Sequence, residues 1–117
     1  MTHAWVVLTG RDGRDVQGPT EAQLAAVLSE LYEDDVADAP DGSPPSAVLR
    51  FGYDDGLMYE MEVGRGGAVR FEEWSDRDCE LALADPRRMS CDKEAALQLW
   101  KWLAGRQVAR IREQAWQ

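Results

Sequence analysis

An α+β fold is predicted for this chain, an antiparallel sheet made of a meander plus terminal strands, with two helices packed on one face. Three observations predict it. Alternating apolar and polar residues run through 48–72, broken twice by glycine-rich turns. Two separate stretches carry helical spacing with capping residues. The length, 117 residues with 44% hydrophobic, suits one domain spanning 1–117 with a modest core.

Ala4 to Thr9 is an apolar, β-branched run that stops at Gly10, a first strand followed by the turn Gly10-Arg11-Asp12-Gly13. Thr20 then stands three residues before Gln23, the spacing of a capping box. Leu24, Val27, Leu28 and Leu31 follow at i, i+3, i+4 and i+7, one stripe of an amphipathic helix. Its end is placed near Asp34-Asp35, where carboxylates oppose the helix dipole. From Asp35 to Ser46 the chain carries Pro40, Gly42, Pro44 and Pro45 and reads as an exposed loop.

In the meander, Leu49, Phe51 and Tyr53 alternate with Val48, Arg50 and Gly52, and Asp54-Asp55-Gly56 makes a tight turn. Leu57, Tyr59, Met61 and Val63 alternate with Met58, Glu60 and Glu62; after Gly64–Gly67, Val69 and Phe71 alternate with Arg70 and Glu72. One register pairs Phe51 with Tyr59 and Arg50 with Glu60; the next pairs Val63 with Val69, Met61 with Phe71 and Glu62 with Arg70. Apolar side chains then meet on one face and opposite charges on the other, so the two registers support each other.

Two turn-rich stretches, Ser75-Asp76-Arg77-Asp78 and Asp85-Pro86-Arg87-Arg88, flank a segment of undecided type. Ser90 or Asp92 caps a second helix that runs to about Ala104, with Gly105 as its stop. Trp100 and Trp102 stand about 200° apart on that helix, so one is expected in the core and the other half exposed, as an anchor for a partner. Val108 to Trp116 is expected as a last strand with Trp116 packing at the edge.

The net charge is −9, and its distribution matters more than its total. Residues 21–62 hold eleven carboxylates against the single cation Arg50, a balance of −10, while 1–20 sum to zero and 63–117 to +1. Such a stretch repels a phosphate backbone, which speaks against direct nucleic-acid binding, and attracts a basic protein. No apolar run is long enough to span a membrane, and the first residues lack the pattern of a secretory signal. Cys79 and Cys91, twelve positions apart, read as reduced thiols of a cytoplasmic protein, with a disulfide between them the alternative that spacing alone does not decide.

Catalysis is hard to build from these residues. His3 is the one histidine, so nucleophilic arrangements lack a well-placed base. Asp54-Asp55-Gly56 lacks calcium-loop spacing, and no phosphate-binding glycine pattern precedes a helix. Glu60 and Glu62 share a strand face, but their expected partners Arg50 and Arg70 hold them ionised. No enzyme activity, metal or cofactor is expected.

The order of parts resembles the small immunity proteins of bacterial polymorphic toxin systems, nearest to the immunity family often encoded beside nucleic-acid deaminase toxins. The residues that carry the resemblance are Ser90-Cys91-Asp92-Lys93-Glu94-Ala95-Ala96, then Trp102-Leu103-Ala104-Gly105-Arg106, then Trp116. They are similar to a capped helix closing on an aromatic-aliphatic pair, a short Gly/Lys/Arg turn and a Trp near the C-terminus. Where that family commonly has a proline after the helix, this chain has Gln107-Val108-Ala109. The resemblance implies a cytoplasmic protein, monomeric when free, that binds and occludes a cognate toxin domain with a basic surface. The alternatives from composition are a small acidic adaptor or chaperone for a basic partner, and a small ligand-binding domain. The expected contact residues are the acids predicted to project without partners, Asp34, Asp35 and Asp38 after the first helix and Asp54 and Asp55 at the hairpin tip, together with Trp100 and Trp102.

Overall fold

In the computed structural model, residues 4–10, 13–32, 46–53, 56–64, 67–75, 82–83, 86–114 and 116 are described. Six strands, β1 (Ala4–Thr9), β2 (Asp15–Gln17), β3 (Ser46–Tyr53), β4 (Met58–Gly64), β5 (Ala68–Trp74) and β6 (Arg87–Ser90), form one antiparallel sheet in the order β2-β1-β3-β4-β5-β6. The helices α1 (Glu21–Leu31), α2 (Lys93–Ala104) and α3 (Val108–Arg112) share one core with one face of this sheet.

Both meander registers are those expected from the alternation: Phe51 opposes Tyr59, Arg50 opposes Glu60, Met61 opposes Phe71 and Glu62 opposes Arg70. Leu49, Phe51, Met61, Val63, Val69 and Phe71 are buried on the dry face. A run of rings crosses it. Tyr53 meets Phe51 edge-on at 5.1 Å; Phe51 stacks on Tyr59 at 5.8 Å, Tyr59 on Phe71 at 6.3 Å and Phe71 on Trp116 at 5.9 Å.

The capping box of α1 is present: Gln23 N–H donates to Thr20 Oγ1 at 3.2 Å, and Thr20 N–H to Gln23 Oε1 at 2.8 Å. Leu24, Leu28 and Leu31 bury the predicted stripe. The helix ends at Leu31 with Tyr32 as its cap, a turn earlier than the acids suggest. In α2 the cap is Asp92, whose carboxylate accepts from Ala95 N–H at 2.8 Å; Ser90 instead closes β6. The two helices run antiparallel and are tied near both ends by Lys101–Glu21 at 3.0 Å and Lys93–Ser29 at 3.0 Å. These exposed ties contribute little, of order 0.5 kcal/mol each. The buried leucines supply the rest of the packing.

Three elements depart from the sequence reading. Asp15–Gln17 forms a short edge strand beside β1. Arg87–Ser90, read as part of a turn, is a strand because Met89 pairs with Val69 on the core side while Arg88 and Ser90 face outward. The expected last strand at 108–116 is the short helix α3: Val108 and Ile111, three apart, bury one helical face. Trp116 then folds back onto Phe71, its indole N–H donating to the Ile111 carbonyl at 2.7 Å.

One glycine joins the helical layer to the sheet. Gly67 has φ +89°, and a Cβ there would lie 2.0 Å from the carbonyl oxygen of Cys91. That same oxygen accepts from Tyr32 Oη at 2.8 Å, so the end of α1, the start of β5 and the lead into α2 meet at this point. Gly67→Ala is therefore expected to lower stability by about 3 kcal/mol, from backbone strain and the displaced Cys91 carbonyl. Gly13→Ala, at φ +82° with nothing within 4 Å of its Cβ position, should cost only about 1 kcal/mol. Denaturant titration of the two variants separates crowding from conformational strain.

Candidate functional site

The face of the sheet turned away from the helices carries three cross-strand rows. Trp5, Gly52, Met58 and Trp74 form one; Gln17, Val7, Arg50, Glu60 and Glu72 the second; Asp15, Thr9, Val48, Glu62, Arg70 and Arg88 the third. In the apolar row the ring of Trp5 lies over Gly52, whose absent Cβ would sit 2.5 Å from it. The charged rows largely neutralise themselves. Arg50 Nε lies 3.7 Å from Glu60, and its guanidinium donates to Thr9 Oγ1 at 3.2 Å. Arg70 clamps Glu62 at 3.2 Å and Glu72 at 2.9 Å, which offsets the like charges of Glu60 and Glu72 placed opposite each other. Glu60 and Glu62 thus each meet the cation expected for them, Arg50 and Arg70.

Of the seven expected contact residues, Trp100 and Trp102 are among the described residues. Asp34, Asp35, Asp38, Asp54 and Asp55 lie outside the described residues. Trp100 has no surface to give a partner. It is fully buried, and its indole N–H donates to the Met61 carbonyl at 3.3 Å, fixing α2 to β4. Trp102, on the other side of the helix, is half-buried and walls a cleft of about 120 Å³ shared with Met89, Ala95, Gln98, Leu99 and Gln114. The 200° separation on the helix therefore sorts the two indoles as expected.

Sequence reasoning missed Glu73. It follows Val69 and Phe71 at the same alternation, so its carboxylate falls on the dry face, where it is 4% exposed. Arg87 from β6 and Arg112 from α3 both donate to it, one to each oxygen. Burial pushes this carboxyl up, but the hydrogen bonds from Arg112 and Arg87 and their charges outweigh it, leaving it below the ordinary value of 4.5. Burial likewise raises the Tyr59 hydroxyl, opposed by the neighbouring Arg112. The signal was present in the sequence as an acid at a core-facing position, with arginines in the flanking stretches to meet it.

Cys91 is a free thiol whose pKa burial pushes up from its ordinary value; Cys79 lies outside the described residues. Among the described residues no group of three or more His, Cys, Asp or Glu side chains is placed to hold a metal, and no helix is long and apolar enough to cross a membrane. The described surface carries an apolar cleft beside Trp102 and, next to it, the strand β6, which has β5 as its described neighbour. Comparison with family models, with curated proteins and with solved structures finds no match for this chain.

Glu73 gives this arrangement a pH signature. A carboxylate whose folded pKa is depressed stabilises the fold above its unfolded pKa, and that contribution is lost as pH falls through the folded value. Glu73→Gln should cost about 2 kcal/mol at neutral pH, discounted because both arginines can rehydrate. The gap between the two proteins should stay constant down to about pH 4.5 and close below it, as read by denaturant midpoints across pH.

Proposed function

We propose that this chain is an immunity protein that binds a cognate antibacterial toxin in the cytoplasm and occludes its substrate groove, the toxin being one that acts on nucleic acid, such as a deaminase. The observation that carries the reading is the −10 balance of residues 21–62. Within that stretch Glu21, Glu60 and Glu62 are each met by a cation, Lys101, Arg50 and Arg70. Seven of its eleven acids, Glu33, Asp34, Asp35, Asp38, Asp41, Asp54 and Asp55, lie outside the described residues, in two short segments on either side of β3. The carboxylates of the sheet are already engaged. The surplus in these segments is what a basic groove built for nucleic acid would meet. The resemblance of residues 90–116 to an immunity family supports the same reading. On this reading the protein works by steric and electrostatic exclusion, with no turnover of its own.

The reading is tested with the product of the neighbouring toxin gene. Association should slow steeply as salt rises, since steering fades once the Debye length falls below about 10 Å. Reversing Asp34, Asp35 and Asp38 to Lys should slow association by about tenfold or more while leaving thermal stability unchanged. Full neutralisation of the toxin by the triple variant, or an association rate indifferent to salt, contradicts the placement of the contact. The absence of any toxin gene beside this one, with capture of a basic host protein instead, would favour an adaptor.

A further inference from the structure

Among the described residues β6 has a neighbour on one side only, β5. The Cys91 amide donates to the Gly67 carbonyl at 3.1 Å, which makes Gly67 and Cys91 a hydrogen-bonded antiparallel pair. Such pairs recur at every second residue, so Met89 and Arg87 also turn their backbone groups toward Val69 and Phe71. Arg88 and Ser90 are left directing N–H and C=O outward, along an edge that no other described strand pairs with. On the core side of the edge, Met89 forms one wall of the cleft that Trp102 and Leu99 line. On the other side stands Arg88, exposed and paired with no described carboxylate.

An edge charge alone is common protection against unwanted strand pairing. Protection does not account for an apolar cleft set beside the same backbone groups. A cavity of about 150 Å³ holds a benzene, so the roughly 120 Å³ here suits one branched aliphatic side chain.

We propose that β6 and the Trp102 cleft together receive an extended segment of a partner protein as a seventh strand, with an aliphatic side chain in the cleft and a carboxylate on either side of it. The register follows from the edge. The incoming residue opposite Met89 points to the core side and fills the cleft, and its two neighbours exchange backbone hydrogen bonds with Arg88 and Ser90. The added strand runs antiparallel to β6, so one of those neighbours lies across from Arg88, where a carboxylate makes a favourable cross-strand pair. A second copy of β6 is the poorer occupant, because it would bring another Arg87-Arg88 to the same edge. The net charge of −9 repels acidic peptides at long range, so a preference for one has to arise at this local basic edge. The inference is independent of the toxin reading.

The experiment titrates ¹⁵N-labelled protein to millimolar levels with three capped peptides. They are Thr-Glu-Leu-Glu-Thr, the same peptide with both Glu replaced by Lys, and the Glu peptide methylated on both Glu nitrogens. The Glu peptide should give saturable shifts at the Arg88, Met89 and Ser90 amides and at the Trp102 indole. The Lys peptide should bind several-fold more weakly and the methylated one not at all. In Arg88→Glu, an exposed substitution whose remaining spectrum checks the fold, the preference should invert toward Lys. No saturable shift at β6, a Lys peptide that binds the wild type as well, or indifference to methylation would each overturn the proposal.

Discussion

A single buried carboxylate decides how the second half of the chain is assembled. Glu73 occupies a core-facing position of β5, and its burial is sustained only because Arg87 and Arg112 reach it from two different elements. Arg87 begins β6 and also lies over the Phe71 ring at 5.9 Å. Arg112 ends α3, where Trp116 comes back to stack on that same ring. One acid thus holds the edge strand and the C-terminal helix onto the sheet. The cleft beside Trp102 exists because both are held there.

The same economy of charge runs through the rest of the described molecule. Each acid of the outer sheet face that sits on β4 or β5 has an arginine beside it, so the sheet presents a nearly balanced surface despite the chain's overall acidity. The surplus is concentrated in two short stretches of sequence next to β3. The ion pairs described within the sheet use none of those acids. Arg88, on the outer face of β6, is exposed and pairs with no described carboxylate.

Much of this was legible in the sequence because the alternation and the turns agreed. Phe51 with Tyr59 and Glu62 with Arg70 could be paired on paper, since a slip of one residue would bury charges. The Thr20–Gln23 capping box and the separation of Trp100 from Trp102 followed from helix geometry alone. What could not be read depended on contacts distant in sequence. Arg87–Ser90 looks like a turn beside Pro86 until Glu73 and Val69 give it something to pair with. Val108–Arg112 carries β-branched residues that suit a strand, but Val108 and Ile111, three apart, bury together as one helical face. Trp100, named with Trp102 as a contact residue, is the one of the two that the core takes, its indole N–H bonded to the Met61 carbonyl.

The central claim is that Glu73 fastens β6 and α3 to the sheet as one unit. Native-state hydrogen exchange on Glu73→Gln addresses it directly, by comparing amides of β6 and α3 with those of β3 and β4. The account predicts that exchange at the Met89, Arg112 and neighbouring amides accelerates together by one to two orders of magnitude, as expected for about 2 kcal/mol lost locally, while β3 and β4 keep their protection. Uniform acceleration across all elements, or acceleration of β6 without α3, would contradict it.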